Sequence, residues 1–277
     1  PDWYGEDKII YTSDEPGEGN LCYTNIKYGN TTWPIDEFDG SNDSFPHITN
    51  DNQVVFVRNL WNIYMRDIDG LPNFFRASSY GPVWTKIFDN IAYTKWDGIN
   101  VQIRKWNRQN NSEGLIYTDG ETTTVMSTYP GTNKILYEKD NNLYTVDFDG
   151  TNQKFLVANA VQGDVSPDGK RIVYKNTSDW NLYVCYADGT DAFRLTTDRD
   201  SHYPRWSPSG TKIVYNYAVN SDSKKAKILE LIISDKMNLQ SIITNPTSGQ
   251  TISGKIEIKG TATDLNFDYY DLKYGSG

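Results

Sequence analysis

The sequence predicts an all-β fold: a six-bladed β-propeller of four-stranded antiparallel blades, followed by a short C-terminal β segment. Three observations predict it. A short apolar triplet recurs six times, at spacings of 45, 37, 44, 37 and 41 residues. A partly alternating element follows each triplet at nearly constant phase, and a turn closes the unit. The composition is 37% apolar yet 14% aromatic, led by 20 Tyr. Short strands closed by aromatic residues and joined by polar turns account for both numbers.

The triplets are Ile9-Ile10-Tyr11, Val54-Val55-Phe56, Ile91-Ala92-Tyr93, Ile135-Leu136-Tyr137, Ile172-Val173-Tyr174 and Ile213-Val214-Tyr215. Mostly β-branched residues followed by an aromatic suit a strand covered on both faces. The next element reads Asn20–Tyr23, Asn62–Met65, Asn100–Ile103, Asn142–Thr145 and Asn181–Val184, with Lys227–Glu230 as a sixth copy lacking the Asn. Its alternation is that of a half-exposed strand. Asp-Gly turns follow at Asp69-Gly70, Asp149-Gly150 and Asp188-Gly189. Gly accepts positive φ there and Asp bonds the local backbone. A fourth strand is read at Asn73–Ala77, Gln153–Val157 and Asp191–Thr196. A first strand precedes each triplet, clearest in Gly163–Lys170 and Pro204–Thr211. Four strands in about 41 residues match one propeller blade.

Val165-Ser166-Pro167-Asp168-Gly169-Lys170-Arg171-Ile172-Val173-Tyr174, continued through Asn181–Val184, Ala187–Thr190 and Phe193–Thr196, resembles the repeat of TolB-type β-propellers. The unit from Tyr203 is similar in its first half. The resemblance spans residues 1–245 and implies six blades. It implies no single chemistry, because such propellers serve as periplasmic adaptors, as domains beside peptidases and in surface proteins. Residues 246–277 are similar to the opening strands of bacterial immunoglobulin-like surface modules. A full sandwich of that kind needs about seven strands and roughly 100 residues. The 32 residues suffice for two or three strands, so the expectation is a module cut short in this chain, disordered beyond it, or completed by strands of another chain, the last being self-assembly through the C-terminal strands.

The charge of −9 and pI near 4.8 exclude a nucleic-acid partner, which needs a basic face. No apolar run is long enough for a membrane span. Four Asn-x-Ser/Thr sequons, at Asn30, Asn42, Asn110 and Asn176, are expected by chance in an Asn-rich chain. A secreted, periplasmic or cell-surface location is expected. Cys22 and Cys185 fall in non-neighbouring units and are read as buried free thiols.

Blade geometry places the loops between second and third strands on one face, together with the blade-to-blade connections. Trp61, Trp96 and Trp180 fall in such loops, with Asp97 and Asp179 beside two of them. They form the candidate binding face for a protein or glycan partner. Trp3, Trp84 and Trp206 lie on first strands and are read as packing between blades. His47, His202 and Arg205 are read as channel lining, with His47 aligned to Arg205 and His202 to Ser44. Two His in different blades do not make a metal site. No nucleophile elbow, phosphate loop or zinc helix occurs. The expected function is a non-enzymatic binding or structural module of a surface assembly, with no cofactor. The alternatives are a carbohydrate-active lyase or hydrolase, the accessory propeller of one, and a periplasmic adaptor.

Overall fold

The computed structural model describes residues 1–13, 20–27, 32–34, 43–48, 53–59, 62–67, 73–76, 79–85, 90–107, 109–118, 123–197, 200–220, 223–230, 240–245 and 259–263. The described residues are all-β, with seven antiparallel sheets. Sheets one to five have four strands each, in sequence order from edge to edge. Sheet one, for example, runs Asp2–Tyr4, Lys8–Ser13, Asn20–Asn25 and Thr32–Pro34. Sheet six has three described strands, Ser201–Trp206, Lys212–Asn220 and Ser223–Glu230. Its third strand starts before the expected Lys227. The second strand reaches Asn220 and pairs it with Ser223, so this hairpin is longer than the others. Sheet seven pairs Gln240–Asn245 with Lys259–Thr263, one strand from each side of the expected boundary at 245/246.

All six triplets lie on second strands and are buried, apart from half-buried Tyr11. Both faces of these strands are covered because the sheets stack on one another. Six buried clusters result, each bridging two sheets. Ile10 and Leu21 meet Val54 and Phe56. Val55, Val57 and Ile63 meet Ile91, Tyr93 and Trp106. Ala92, Ile103 and Ile116 meet Ile135 and Val146. Leu136 and Leu143 meet Ile172 and Tyr174. Val173 and Val184 meet Trp206 and Ile213. Finally Val214 of sheet six meets Trp3 and Ile9 of sheet one. First strands touch in the same order, including the first strand of sheet six against that of sheet one.

Turn chemistry follows the sequence. In Ser166-Pro167-Asp168-Gly169 the Gly169 N–H donates to the Ser166 carbonyl at 2.8 Å, with φ +70 at Gly169. Ser166 Oγ accepts from Arg171 N–H at 2.9 Å. Ser207-Pro208-Ser209-Gly210 repeats the pattern. Gly150 and Gly189 have a second reason to be glycine. A Cβ there would collide with the carbonyl of Ile116 or Leu156 on the preceding sheet's fourth strand. Cys22 and Cys185 are buried free thiols. Trp3 and Trp206 are buried between sheets, as read from their place on first strands. For Trp84, Ser79–Thr85 forms the expected strand.

Candidate functional site

Strand pairing brings one residue of each first strand to the same register. Asp2, His47, Val83, Ser127, Asp164 and Arg205 stand opposite the middle residues of the six triplets. The alignment of His47 with Arg205 holds at the level of pairing, opposite Val55 and Val214. Apart from Val83, these positions carry polar side chains, and together the six form an inner circle. Each acidic or hydroxyl member accepts from the next sheet's backbone, one residue further along. Ile48 N–H donates to Asp2 Oδ2 at 3.0 Å, Val165 N–H to Ser127 Oγ at 3.2 Å, and Trp206 N–H to Asp164 Oδ2 at 2.8 Å. The indole Nε1 of Trp206 donates to the Asp164 carbonyl at 3.2 Å, and that of Trp3 to the Arg205 carbonyl at 3.0 Å.

Members of the circle also meet sideways. His47 Nδ1 donates to Asp2 Oδ2 at 2.5 Å, and Ser127 Oγ to Asp164 Oδ1 at 2.8 Å. Burial pushes Asp2 up, but His47, Arg205 and the Ile48 N–H outweigh it and hold the carboxyl below its usual range. For Asp164 burial wins, and its pKa is raised despite Arg205, Trp206 and Ser127.

Above the circle, at the starts of the first strands, lies the mouth. The first strands of sheets two, five and six bulge here: the pairing register shifts between Ser44 and His47, Val161 and Asp164, and His202 and Arg205. The bulge residues Phe45, Gln162 and Tyr203 have φ of +52, +57 and +50. Trp180, in the second-to-third-strand loop of sheet five, has φ +64. Positive φ is strained for bulky side chains. Phe45, Trp180 and Tyr203 are 51%, 52% and 37% exposed. The Phe45 and Tyr203 rings meet edge to face at 6.2 Å, so sheets two and six touch across the mouth.

Of the sequence-predicted residues, the structure brings Trp180 and His202 together through a residue the sequence reading missed. Buried Lys175 places Nζ 4.5 Å from the Trp180 ring centre and 2.8 Å from His202 Nδ1. An ammonium only donates, so Nδ1 accepts and Nε2–H donates to Asp200 Oδ1 at 2.6 Å. Desolvation lowers the Lys175 pKa, opposed by Asp200. A lysine inside a strand reads as exposed, so the sequence carried no signal for its burial. Asp179 accepts from Asn181 N–H and the Tyr183 hydroxyl, so it shapes the Trp180 loop. Asp97 shapes the corresponding loop of sheet three, accepting from Ile99 and Asn100 N–H at 2.9 and 2.7 Å. Those bonds, Asn100 first, hold its carboxyl below the usual range. Trp96 is 45% exposed at that loop, with Ile99 at 78%. Trp61 lies outside the described residues. His47 and His202 do not meet, each having its own carboxylate partner. Among the described residues no cluster of His, Cys, Asp or Glu is suited to a metal ion. A separate groove of about 410 Å³ opens between sheets three and four, away from the mouth, where Lys105 Nζ donates to the Phe148 carbonyl.

No family model matches the chain. No curated protein matches it either. Solved structures do. TolB from Acinetobacter baumannii superposes with a TM-score of 0.71 at 18% identity, over 81% of this chain and 61% of that one. The chain has the fold of a TolB-like β-propeller. It spans less than two thirds of that TolB. A protein described as TolB from Agrobacterium tumefaciens gives 0.66 at 15% identity, over 81% and 84% of the two chains. An oligogalacturonate lyase from Vibrio parahaemolyticus gives 0.58 at 12%, over 83% and 88%. Likeness at such identities establishes the propeller fold and leaves the chemistry to the residues. No described helix is long and apolar enough to cross a membrane.

Proposed function

We propose that the chain is a six-bladed propeller acting as a non-enzymatic binding module of an exported, surface-exposed assembly. It engages a protein or glycan at the mouth of the inner circle. One observation carries this reading: Phe45, Trp180 and Tyr203 are all exposed at the mouth, and all sit at positive φ. Each such conformation costs about 1–3 kcal/mol, and such outliers cluster at ligand clamps. Six blades are supported by the cyclic packing of sheet six back on sheet one. The pair Gln240–Asn245 and Lys259–Thr263 begins the immunoglobulin-like segment in this reading, and a second copy could add strands to it. Trp180→Gly tests the face, because glycine tolerates the loop's φ. Capture of a protein or glycan by the wild-type chain should fall in the variant. Equal capture by both would sink the reading.

A second reading, a carbohydrate-active enzyme, draws on the Asp200–His202–Lys175 chain. A lysine of lowered pKa bonded to an oriented imidazole is a recognisable acid–base device. Turnover of an oligosaccharide, abolished by His202→Ala, would establish it over the first.

A further inference from the structure

We propose that the mouth is a subsite for a neutral saccharide chain, lying along Trp180, His202, Tyr203 and Phe45. The proposal rests on the binding-face reading above and names its ligand. The His202 and Tyr203 rings are 6.2 Å apart, and Tyr203 is 6.2 Å from Phe45. Lys175 joins the Trp180 ring to His202. The rings therefore form a track across sheets five, six and two, in place of one contiguous apolar patch.

What selects a saccharide is the polar chemistry between the rings. Gln162 Oε1 accepts from Tyr203 N–H at 2.8 Å. A backbone N–H only donates, so the amide orientation is settled and Nε2 is left as a donor with no partner among the described residues. Asp200 Oδ1 is taken by His202, and Oδ2 has no partner among the described residues. The Tyr203 hydroxyl likewise bonds to none of them. Glu138 Oε2 accepts from Gln162 N–H at 3.1 Å, and Oε1 has no partner among the described residues. Each group is anchored at one end and open at the other. Oriented donors and acceptors beside aromatic faces match a ligand with hydroxyls on its edges and C–H groups on its faces. A protein hot spot needs a desolvated apolar anchor within a dry patch, and these groups keep the mouth wet.

The ligand is neutral for two reasons. The cations nearby are engaged: Lys175 is 1% exposed and donates to His202, while the Arg205 guanidinium donates to the Pro204 carbonyl at 3.0 Å and acts electrostatically on Asp2 and Asp164. The open groups include two carboxyls on a chain of charge −9, which repels a polyanion.

The test is calorimetric titration of the full 277-residue chain with neutral hexasaccharides. These would be β-1,4-glucan, xylan, mannan, chitin, α-1,4-glucan and β-1,3-glucan fragments, with trigalacturonate as the acidic control. Tyr203→Gly, Phe45→Gly and Trp180→Gly remove the rings while keeping the φ tolerable, so the variants should fold at least as well as wild type. At least one neutral hexasaccharide should bind, and losing one ring should weaken it by about tenfold, the size of one stacking contact. Three results would overturn the assignment: no neutral hexasaccharide bound at millimolar concentration, trigalacturonate alone bound, or binding unchanged in all three variants. If the chain instead captures a protein and Trp180→Gly abolishes that capture, the saccharide assignment falls and the binding face stands. If neither ligand responds to the variants, both fall.

Discussion

The seam between sheets five and six and the seam between sheets six and one are built on the same plan, with one difference. At both, a Trp just past the inner-circle position sends its indole N–H to the carbonyl of the preceding sheet's inner-circle residue. At the first seam that residue is Asp164, whose carboxylate also takes the Trp206 backbone N–H. At the second it is Arg205, which has no acceptor to offer, and the Trp3 N–H turns to its own Asp2 at 2.8 Å. Among the described residues the closing seam therefore has one buried hydrogen bond fewer, and no strand exchange compensates. Across this seam Arg205 also acts electrostatically on the Asp2 carboxylate, and Ser209 Oγ donates an exposed bond to Glu6 at 2.9 Å. Apolar packing of Trp3 and Ile9 on Val214 closes the circle, and the polar links tune how firmly.

The sharpest way to break this comparison is to remove the two indoles in turn. Trp206→Ala and Trp3→Ala should each cost about 3–5 kcal/mol. Their consequences should differ. Trp206→Ala, inside continuous chain, should lower the cooperative unfolding midpoint. Trp3→Ala should first free the edge of sheet one, so that amides of residues 2–4 and 8–13 exchange before the rest. Native-state hydrogen exchange decides it, and equal protection patterns in the two variants would contradict the unequal seams.

Next in size is the carboxylate itself. Asp164→Ala leaves the buried Trp206 N–H without an acceptor and should cost about 1–3 kcal/mol. Denaturant melts measure it. A cost near zero would mean that the carboxylate link adds nothing beyond the indole.

Much of this was legible in the sequence, and the remainder fails for definite reasons. The triplets located every second strand, because an Ile/Val pair with an aromatic needs cover on both faces. Ser-Pro-Asp-Gly and Asp-Gly located the turns, because glycine φ is chemistry that a sequence displays. The equivalence of His47 and Arg205 was also readable. Phe45, Gln162 and Tyr203 were not, since a bulge at positive φ in a non-glycine residue leaves no compositional mark. Lys175 was hidden differently: a lysine inside a strand reads as exposed until its neighbours are known to enclose it. Ring closure too could not be read, because it rests on contacts between residues about 200 apart in sequence.

Asp2 and Asp164 sharpen the comparison through pH. Asp164 has a raised folded pKa, so its folded form holds a proton that the unfolded chain has released. Its contribution falls as pH rises through the window above the usual carboxylate value. Asp2 has a lowered folded pKa, so its contribution is present above the unfolded value and is lost as pH falls through the folded one. The difference lies in the sideways partner, an imidazole for Asp2 and a hydroxyl for Asp164. His47→Ser should give Asp2 the same kind of partner as Asp164. Its pKa should rise, by NMR titration, and stability at neutral pH should drop by about 1.4 kcal/mol per unit of rise. The gap from wild type should close at the acid end. A gap independent of pH would show that His47 acts by packing alone.

The smallest expected effect is the most selective. Ser127 Oγ donates to Asp164 Oδ1 and accepts from Val165 N–H, so it ties sheet four to sheet five at a single atom. Ser127→Ala removes both bonds and little volume. The cost should be about 1 kcal/mol near neutrality. It should shrink in acid, because the lost donor stabilised the ionised carboxyl, and a protonated Asp164 needs it less. The same loss should move the Asp164 pKa further up. A variant that loses stability equally at all pH values would locate the role of Ser127 in the Val165 bond and not in the carboxylate.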